Sequence, residues 1–126
     1  MANVIIDTDI LIEALRGSDS VIAEINKIQI DNIRLSSITL MELYQGARDK
    51  ADLRNTEKML SGFTVIPVDE QVSTLATRIV YEYGLSHGAK LADALIGATA
   101  ILARASLYTR NTKDFHYLPD LQLHSV

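Results

Sequence analysis

The sequence contains no cysteine and no tryptophan. Without cysteine there are no disulfide bonds, no thiol nucleophiles and none of the usual structural zinc sites. No apolar run approaches the roughly 20 residues that a helix needs to span a bilayer. The first carboxylate, Asp7, comes too early for the apolar segment of a secretory signal. We therefore expect a cytoplasmic protein without a membrane segment.

Positive charge is also scarce, since 12 Lys and Arg residues stand against 16 Asp and Glu residues, a formal net charge of −4. Proteins that hold nucleic acid by general electrostatics need clustered cations to neutralise phosphates, and this class is disfavoured. This does not exclude nucleic acid as a substrate, because a bound divalent cation compensates the negative charge of acidic residues in a site. The length of 126 residues and the 48% hydrophobic content indicate one domain with a substantial core.

Short apolar runs typical of strands alternate along the chain with longer segments of helical periodicity. Strands are predicted at residues 3–6, 34–38, 63–66 and 107–109, with a short fifth at 121–124. Helices are predicted at residues 10–16, 21–28, 39–46, 49–61, 69–84 and 88–105. Such alternation predicts βαβ units, and hence a parallel sheet of four or five strands between layers of helices.

Asp7 follows the first of these strands directly. The strand is a run of Val and Ile without polar alternation, which is typical of a central parallel strand covered on both faces. Ligands of such sheets gather outside the carboxyl ends of the strands, and an unpaired charge there is costly. These arguments favour a functional role for Asp7, whereas Asp9 is expected to be the N-cap of the first helix.

Three further acids lie beside apolar segments, and each also has a structural explanation. Glu42 fits a capping box with Thr39 at the start of a helix. Asp93 can complement a helix dipole, although its apolar neighbours favour a site. Asp114 lies three residues after Asn111, which matches an N-cap with an acid at the third helical position. Both roles remain open for Asp114.

If these carboxylates converge, they need a cation. Each neighbouring carboxylate at about 4 Å costs on the order of 4 kcal/mol at an effective dielectric constant near 20. Oxygen ligands from carboxylates and Asn111 suit Mg²⁺ or Mn²⁺ and disfavour zinc. Such a metal lowers the pKa of a bound water and stabilises the charge that grows on a phosphodiester under attack. The acids therefore indicate metal-assisted hydrolysis.

Four short motifs, in this order, resemble those of a known family. They are residues 6–12 (IDTDILI), 41–46 (MELYQG), 92–96 (ADALI) and 109–115 (TRNTKDF). Together they make the chain similar, over nearly its whole length, to the PIN-domain ribonucleases and specifically to VapC-type toxins. The resemblance implies a PIN-like three-layer α/β/α sandwich with a central parallel sheet, as a single PIN domain over residues 1–126.

The resemblance also implies an activity and partners. The expected protein is a metal-dependent endoribonuclease that cuts RNA as the toxin of a type II toxin–antitoxin system. It is expected to form a homodimer and to be neutralised by a VapB-like antitoxin encoded beside it. Carried over by motif, Asp7, Glu42 and Asp93 are the acids around Mg²⁺ or Mn²⁺. Many PIN domains have Asp at the position of Asn111, whereas VapC-like sequences often have Asn there and an acid three positions later, here Asp114. All five are candidate catalytic residues.

Three other functions compete with this interpretation. A non-catalytic PIN-like module that binds RNA or protein has no need to retain convergent acids. A phosphatase of the haloacid dehalogenase type shares the strand followed by Asp-x-Asp, but it expects Thr or Ser where Leu11 stands, and a later Asp-Asp pair. A metal-free ribonuclease would use histidines as acid and base, but the spacing of the histidines predicts no pair at the active edge of the sheet.

Other residues are candidates for contacts with the site, the substrate or a partner. Thr8 and Thr109 are close enough in sequence to the acids to position them or a water. Arg110, Lys113, His116, His87 and Lys90 flank the motifs, where they either face phosphates or are ordinary solvated side chains. The tyrosines are expected in the core or an interface rather than as base-stacking platforms. The thin apolar face of residues 49–61 is a predicted surface for dimer or antitoxin contacts.

Overall fold

The structure, a computed structural model, describes residues 3–126. The strands in this range are β1 (Val4–Ile6), β2 (Ile33–Ser36), β3 (Thr64–Ile66), β4 (Ser106–Tyr108) and β5 (Gln122–Leu123). The helices are α1 (Thr8–Leu15), α2 (Asp19–Ile28), α3 (Ser37–Gln45), α4 (Lys50–Leu60), α5 (Glu70–His87) and α6 (Leu91–Ala103), with short 3₁₀ turns at Ile30–Asn32 and Thr112–Asp114. None of the helices within 3–126 has both the length and the apolar character that crossing a bilayer requires.

The five strands form one sheet in the order β3-β2-β1-β4-β5, and every neighbouring pair is parallel. From β1 the chain moves outward on one side to β2 and β3, and it then crosses back to β4 on the other side. The strand order therefore reverses at β1. In open parallel sheets this reversal opens a crevice at the carboxyl ends of the strands, which is where Asp7 lies.

The sheet is covered by helices on both faces, which confirms the predicted three-layer sandwich. Ile5 and Leu107 point to one face, where they are fully buried with apolar side chains of α5 and α6. Ile6 points to the opposite face and packs with Leu11 of α1 and Val21 of α2, all without exposed surface. Burial on both faces explains why the central strand is uniformly apolar, since neither side meets water.

The prediction that Asp9 caps the first helix is wrong, because Asp7 is the N-cap of α1. The Asp7 backbone is still extended and its N–H donates to the carbonyl of Tyr108, so the chain turns into the helix directly after the strand. The Asp7 carboxylate accepts a hydrogen bond from the N–H of Thr8 at 2.8 Å. Asp9 lies in the first turn of α1, where its charge complements the helix dipole.

The capping box with Thr39, which was the structural alternative for Glu42, does not form. Helix α3 begins at Ser37, and its N-cap is Ser36, whose hydroxyl accepts from the N–H of Ile38 at 3.2 Å. Thr39 is therefore inside the helix and fully buried. Because Glu42 does not cap the helix, its carboxylate is available to the crevice.

Two boundaries around the connection between α5 and α6 differ from the prediction. Helix α5 continues through Gly84 to His87, and the glycine in the left-handed conformation is Gly88, at φ 67°. Helix α6 begins only at Leu91, because Lys90 has an extended backbone. A glycine inside a helix costs only about 1 kcal/mol, so Gly84 alone does not end a helix whose apolar face continues.

The segment after β4 packs closely on α6 at Gly97. A Cβ atom added there would lie 3.0 Å from the Leu118 Cδ1 and 3.7 Å from the Phe115 ring. Phe115 and Leu118 are buried against the helix. This close approach fixes the turn that carries Asp114 against the helix that carries Asp93.

Candidate active site

Asp7, at the carboxyl end of β1, is only 4% exposed. One carboxylate oxygen accepts from the Thr8 N–H, and the other accepts from the Thr109 hydroxyl at 2.7 Å. Burial and the neighbouring charges of Asp9 and Asp93 raise the pKa of Asp7 to about 7, against the two hydrogen bonds, which lower it. The side chain is thus held in one orientation but is electrostatically strained when it ionises.

Glu42 reaches the same crevice from α3, and a hydroxyl fixes its orientation. The Thr8 hydroxyl donates to Glu42 Oε1 at 2.7 Å and lies 3.2 Å from the hydroxyl of buried Thr39. Thr8 therefore links Asp7, through its backbone N–H, to Glu42, through its side chain. The sequence suggested that Thr8 and Thr109 could position the acids, and both hydroxyls contact one.

Asp93, in the first turn of α6, is coupled to acids from several elements. Burial raises its pKa first, and Asp114, Glu42 and Asp9 raise it further by like-charge repulsion, while Lys90 lowers it. Charges from α1, α3 and the turn after β4 therefore act on Asp93, and the contacts of Thr8 place Asp7 next to Glu42. These are the acids that the sequence selected.

Asn111 and Asp114 lie at the 3₁₀ turn that follows β4. Asn111 occupies the N-cap position of this turn, but its side chain makes no capping bond. Its backbone N–H donates to the Thr109 hydroxyl at 3.0 Å, so it contacts the group that holds Asp7. Asp114 is half-buried, and its charge acts on Asp93. The Asn111 amide is exposed at the rim of the crevice.

Asp9 and Arg110 close one side of the crevice. Asp9 accepts from the backbone N–H groups of Ile10 at 2.8 Å and Arg110 at 3.0 Å, which ties the start of α1 to the end of β4. The Arg110 guanidinium forms an ion pair with Glu13 at 3.0 Å. Its charge is therefore partly compensated before any phosphate approaches.

The structure adds Tyr117 to the rim residues His87 and His116 that the sequence had placed beside the acidic motifs. Tyr117 packs against His87 and His116, and the charges of Asp93 and Asp114 contribute, after burial, to raising its pKa. The two histidines contact the same tyrosine and not each other, so this arrangement does not contradict the expectation that they form no acid-base pair. No local pattern predicts this contact, because it joins the end of α5 to the segment after β4.

The donors in the crevice fit a hard divalent cation by their chemistry. All are carboxylate, amide or hydroxyl oxygens, and the repulsion that raises the pKa of Asp7 and Asp93 is the repulsion that a cation relieves. As the side chains stand in residues 3–126, no three His, Cys, Asp or Glu residues are arranged to hold a metal ion jointly. Mg²⁺ keeps several waters and is often bound through one or two carboxylates, so it does not need three.

The chain is similar to known proteins over almost its whole length. A family model described as PIN domain matches residues 4–121. The chain is 34% identical to Ribonuclease VapC19 of Mycobacterium tuberculosis, over 94% of this chain and 96% of that protein. It is 32% identical to Ribonuclease VapC of Rickettsia bellii, over 97% and 95%.

A solved structure, described as a toxin-antitoxin complex from Klebsiella pneumoniae, contains a chain with the same fold. The TM-score is 0.82 at 30% sequence identity, and the match covers 98% of this chain and all of the other. The similarity therefore extends to the elements that carry the acids as well as to the core.

Proposed function

Because the chain belongs to the PIN domain family, we propose that it is a VapC-type endoribonuclease that hydrolyses RNA with Mg²⁺ or Mn²⁺. We further propose that residues 1–126 act as one PIN domain, and that Asp7, Glu42, Asp93, Asn111 and Asp114 form the active site. Asp7, Glu42 and Asp93 are the proposed metal-binding acids.

The observation that carries this proposal is that Thr8 holds Asp7 and Glu42, which come from separate elements, side by side at the point where the strand order reverses. Asp93 feels the charges of Glu42, Asp114 and Asp9, and Asp7 feels those of Asp9 and Asp93. Like charges close together reduce the stability of the folded chain unless a cation compensates them, and such perturbed groups are common at functional sites. Relatives named as ribonucleases supply the substrate class.

Each residue has a role that follows from its contacts. Thr109 and the Thr8 N–H fix the two oxygens of Asp7, and the Thr8 hydroxyl fixes Glu42. A bound Mg²⁺ would lower the pKa of a coordinated water and stabilise the charge on the phosphodiester. Asp93 would be a further carboxylate ligand, and the same cation would relieve its repulsion with Asp114 and Glu42.

The test is RNA cleavage by purified protein in EDTA, Mg²⁺ and Mn²⁺. We expect cleavage only with metal, its loss in Asp7→Asn and Asp93→Asn, and its retention in a control variant, Tyr81→Ala, which changes an exposed residue of α5. Cleavage that persists in EDTA would exclude the metal mechanism and favour the histidines. RNA binding without cleavage in every metal would favour a non-catalytic module.

We also propose that the protein is the toxin of a toxin–antitoxin pair, forms a homodimer and binds a VapB-like antitoxin. The solved toxin-antitoxin complex supports this proposal. Helix α4 is the proposed contact, because it buries only Thr56 and Leu60 and exposes Leu53. Leu53→Asp should weaken dimerisation or antitoxin binding in a pull-down and sedimentation assay, whereas Arg54→Asp tests whether charge alone has this effect. Unchanged assembly in Leu53→Asp would remove α4 from the interface.

A further inference from the structure

Three aromatic side chains form a cluster at the end of α5, which we call the ring cluster: Tyr83, His87 and Tyr117. The rings of His87 and Tyr117 are stacked, with centroids 4.3 Å apart and planes 24° from parallel. Tyr83 contacts both, at 4.9 Å from Tyr117 and 5.6 Å from His87 in an edge-on arrangement. The two tyrosines are half-buried and His87 is exposed, so the cluster is anchored in the protein and presents its histidine to solvent.

The ring cluster lies beside the proposed active site. Tyr117 follows the turn of Asp114 by three residues, and its hydroxyl feels the charges of both Asp93 and Asp114. His87 is followed by the short connection to Lys90, the residue at the N-cap of α6, whose ammonium acts on Asp93. An RNA strand whose phosphate reached Asp93 and Asp114 would therefore lie near Tyr117.

We propose that the ring cluster is a stacking platform for a nucleobase of single-stranded RNA next to the scissile phosphate. The inference rests on the proposed ribonuclease function. Single-stranded RNA is recognised largely by stacking of unpaired bases on aromatic side chains. Stacking needs no positive charge, which suits a chain with a net charge of −4 whose Arg110 is already paired with Glu13.

The arrangement differs from that of an isolated surface aromatic. Tyr81, on the same helix, is 88% exposed and has no ring partner among residues 3–126. His87, in contrast, is stacked on Tyr117 with the two ring planes 24° from parallel, so its ring is already oriented before a base arrives. A fixed ring loses little conformational entropy on binding, which favours a recognition role over a solvated one.

The test is binding of a short fluorescent single-stranded RNA by anisotropy, in the Asp7→Asn background with Mg²⁺ to prevent cleavage. His87→Ala should weaken binding by about tenfold, and His87→Phe, which keeps a ring, should bind within about twofold of the parent. Tyr81→Ala is the matched control and should have no effect. An abasic site at the stacked position should weaken binding to the parent but cause no further loss in His87→Ala.

Equal binding by His87→Ala and its parent would overturn the platform, and so would an equal loss in His87→Phe, which would point to charge rather than stacking. These outcomes are separable from failure of the proposed function. If the wild-type chain cuts RNA but His87→Ala binds normally, only the platform fails. If no metal supports cleavage but the ring dependence of binding persists, the platform remains and the enzyme fails.

Discussion

Asp7 combines conditions that oppose each other. It is buried and accepts two hydrogen bonds, which favour the carboxylate, but burial and neighbouring acids disfavour it more, so its pKa rises from 3.8 to about 7. At pH values between these two pKa values, the Asp7 carboxyl is therefore protonated in the folded protein but ionised in the unfolded chain. The contribution of this protonated carboxyl to the free energy of unfolding is fully present below about pH 4 and is lost as the pH rises through about 7.

Asp7→Asn should remove this loss. In EDTA at pH 8 we expect the free energy of unfolding of the variant, measured with urea, to exceed that of the wild type by on the order of a few kcal/mol. At pH 4 the difference should be small or absent. Asn keeps an acceptor for the Thr8 N–H and offers a donor toward Thr109. Asp120→Asn, at an exposed position, is the control and should show no such trend. A less stable Asp7→Asn at pH 8 would contradict the repulsion argument.

Thr8 couples two acids through one residue, and its hydroxyl is predicted to position Glu42. Thr8→Val keeps the shape but removes the donor to Glu42 Oε1, which is 2.7 Å away. We expect RNA cleavage to fall by about ten- to a hundredfold, because misplaced catalytic groups cost that much, while circular dichroism stays unchanged. Thr8→Ser restores the hydroxyl and should restore cleavage. Full activity in Thr8→Val would show that Glu42 needs no such support.

At the scale of elements, the two glycines around the end of α5 have opposite functions in the backbone. Gly84 lies inside the helix, and a Cβ there would make an ordinary 3.8 Å contact with Val80. Gly88 holds the left-handed conformation at φ 67°, which strains any residue with a side chain. The connection that follows Gly88 leads to Lys90 and Asp93, so its conformation sets where α6 begins.

Gly84→Ala should therefore stabilise the protein by about 0.5 to 1 kcal/mol, because alanine has the higher helix propensity. Gly88→Ala should destabilise it by roughly 1 kcal/mol through left-handed strain. Urea unfolding of the two variants beside the wild type measures both effects. If Gly84→Ala were the more destabilising of the two, the sequence-based interpretation of Gly84 as the end of the helix would be favoured after all.

The elements themselves could be predicted because their signals are local. Uniform Val and Ile before Asp7 identified the central strand, and the apolar face of 72–83 identified α5. The caps of α1 and α3 could not be predicted reliably, since Ser36, Thr39, Asp7 and Asp9 all suit a cap by residue type. The choice among them depends on where the strand backbone ends, as with the N–H of Asp7 bonded to Tyr108.

At the scale of the molecule, the topology brings the acids together. Parallel strands place their carboxyl ends at one edge, so residues after β1, β2 and β4 had to meet there, and this much follows from the sequence pattern. The ring cluster did not follow from the sequence, because Tyr83 and Tyr117 meet only when α5 packs beside the segment after β4. Contacts between distant segments have no signature in either one.

The proposed metal site predicts a pH-dependent gain in stability of the whole fold. A ligand that binds only the folded state at a hundred times its Kd adds about 2.7 kcal/mol to the free energy of unfolding. Because the cation competes with the proton on Asp7, whose pKa is about 7, the gain should be larger at pH 8 than at pH 6. We expect Mn²⁺ to raise the Tm of the wild type accordingly in thermal melts at constant ionic strength.

Asp7→Asn removes the charge that the cation would compensate and should lose most of this gain at both pH values, whereas Asp120→Asn should keep it. The variant lacking the acid is thus predicted to be the more stable protein in EDTA at pH 8 and the less metal-responsive one. An equal rise in Tm for Asp7→Asn and the wild type would place the cation elsewhere. If Asp7→Asn is the more stable protein in EDTA and the wild type is the more stable one with Mn²⁺, then the acids destabilise the metal-free protein and also bind the metal.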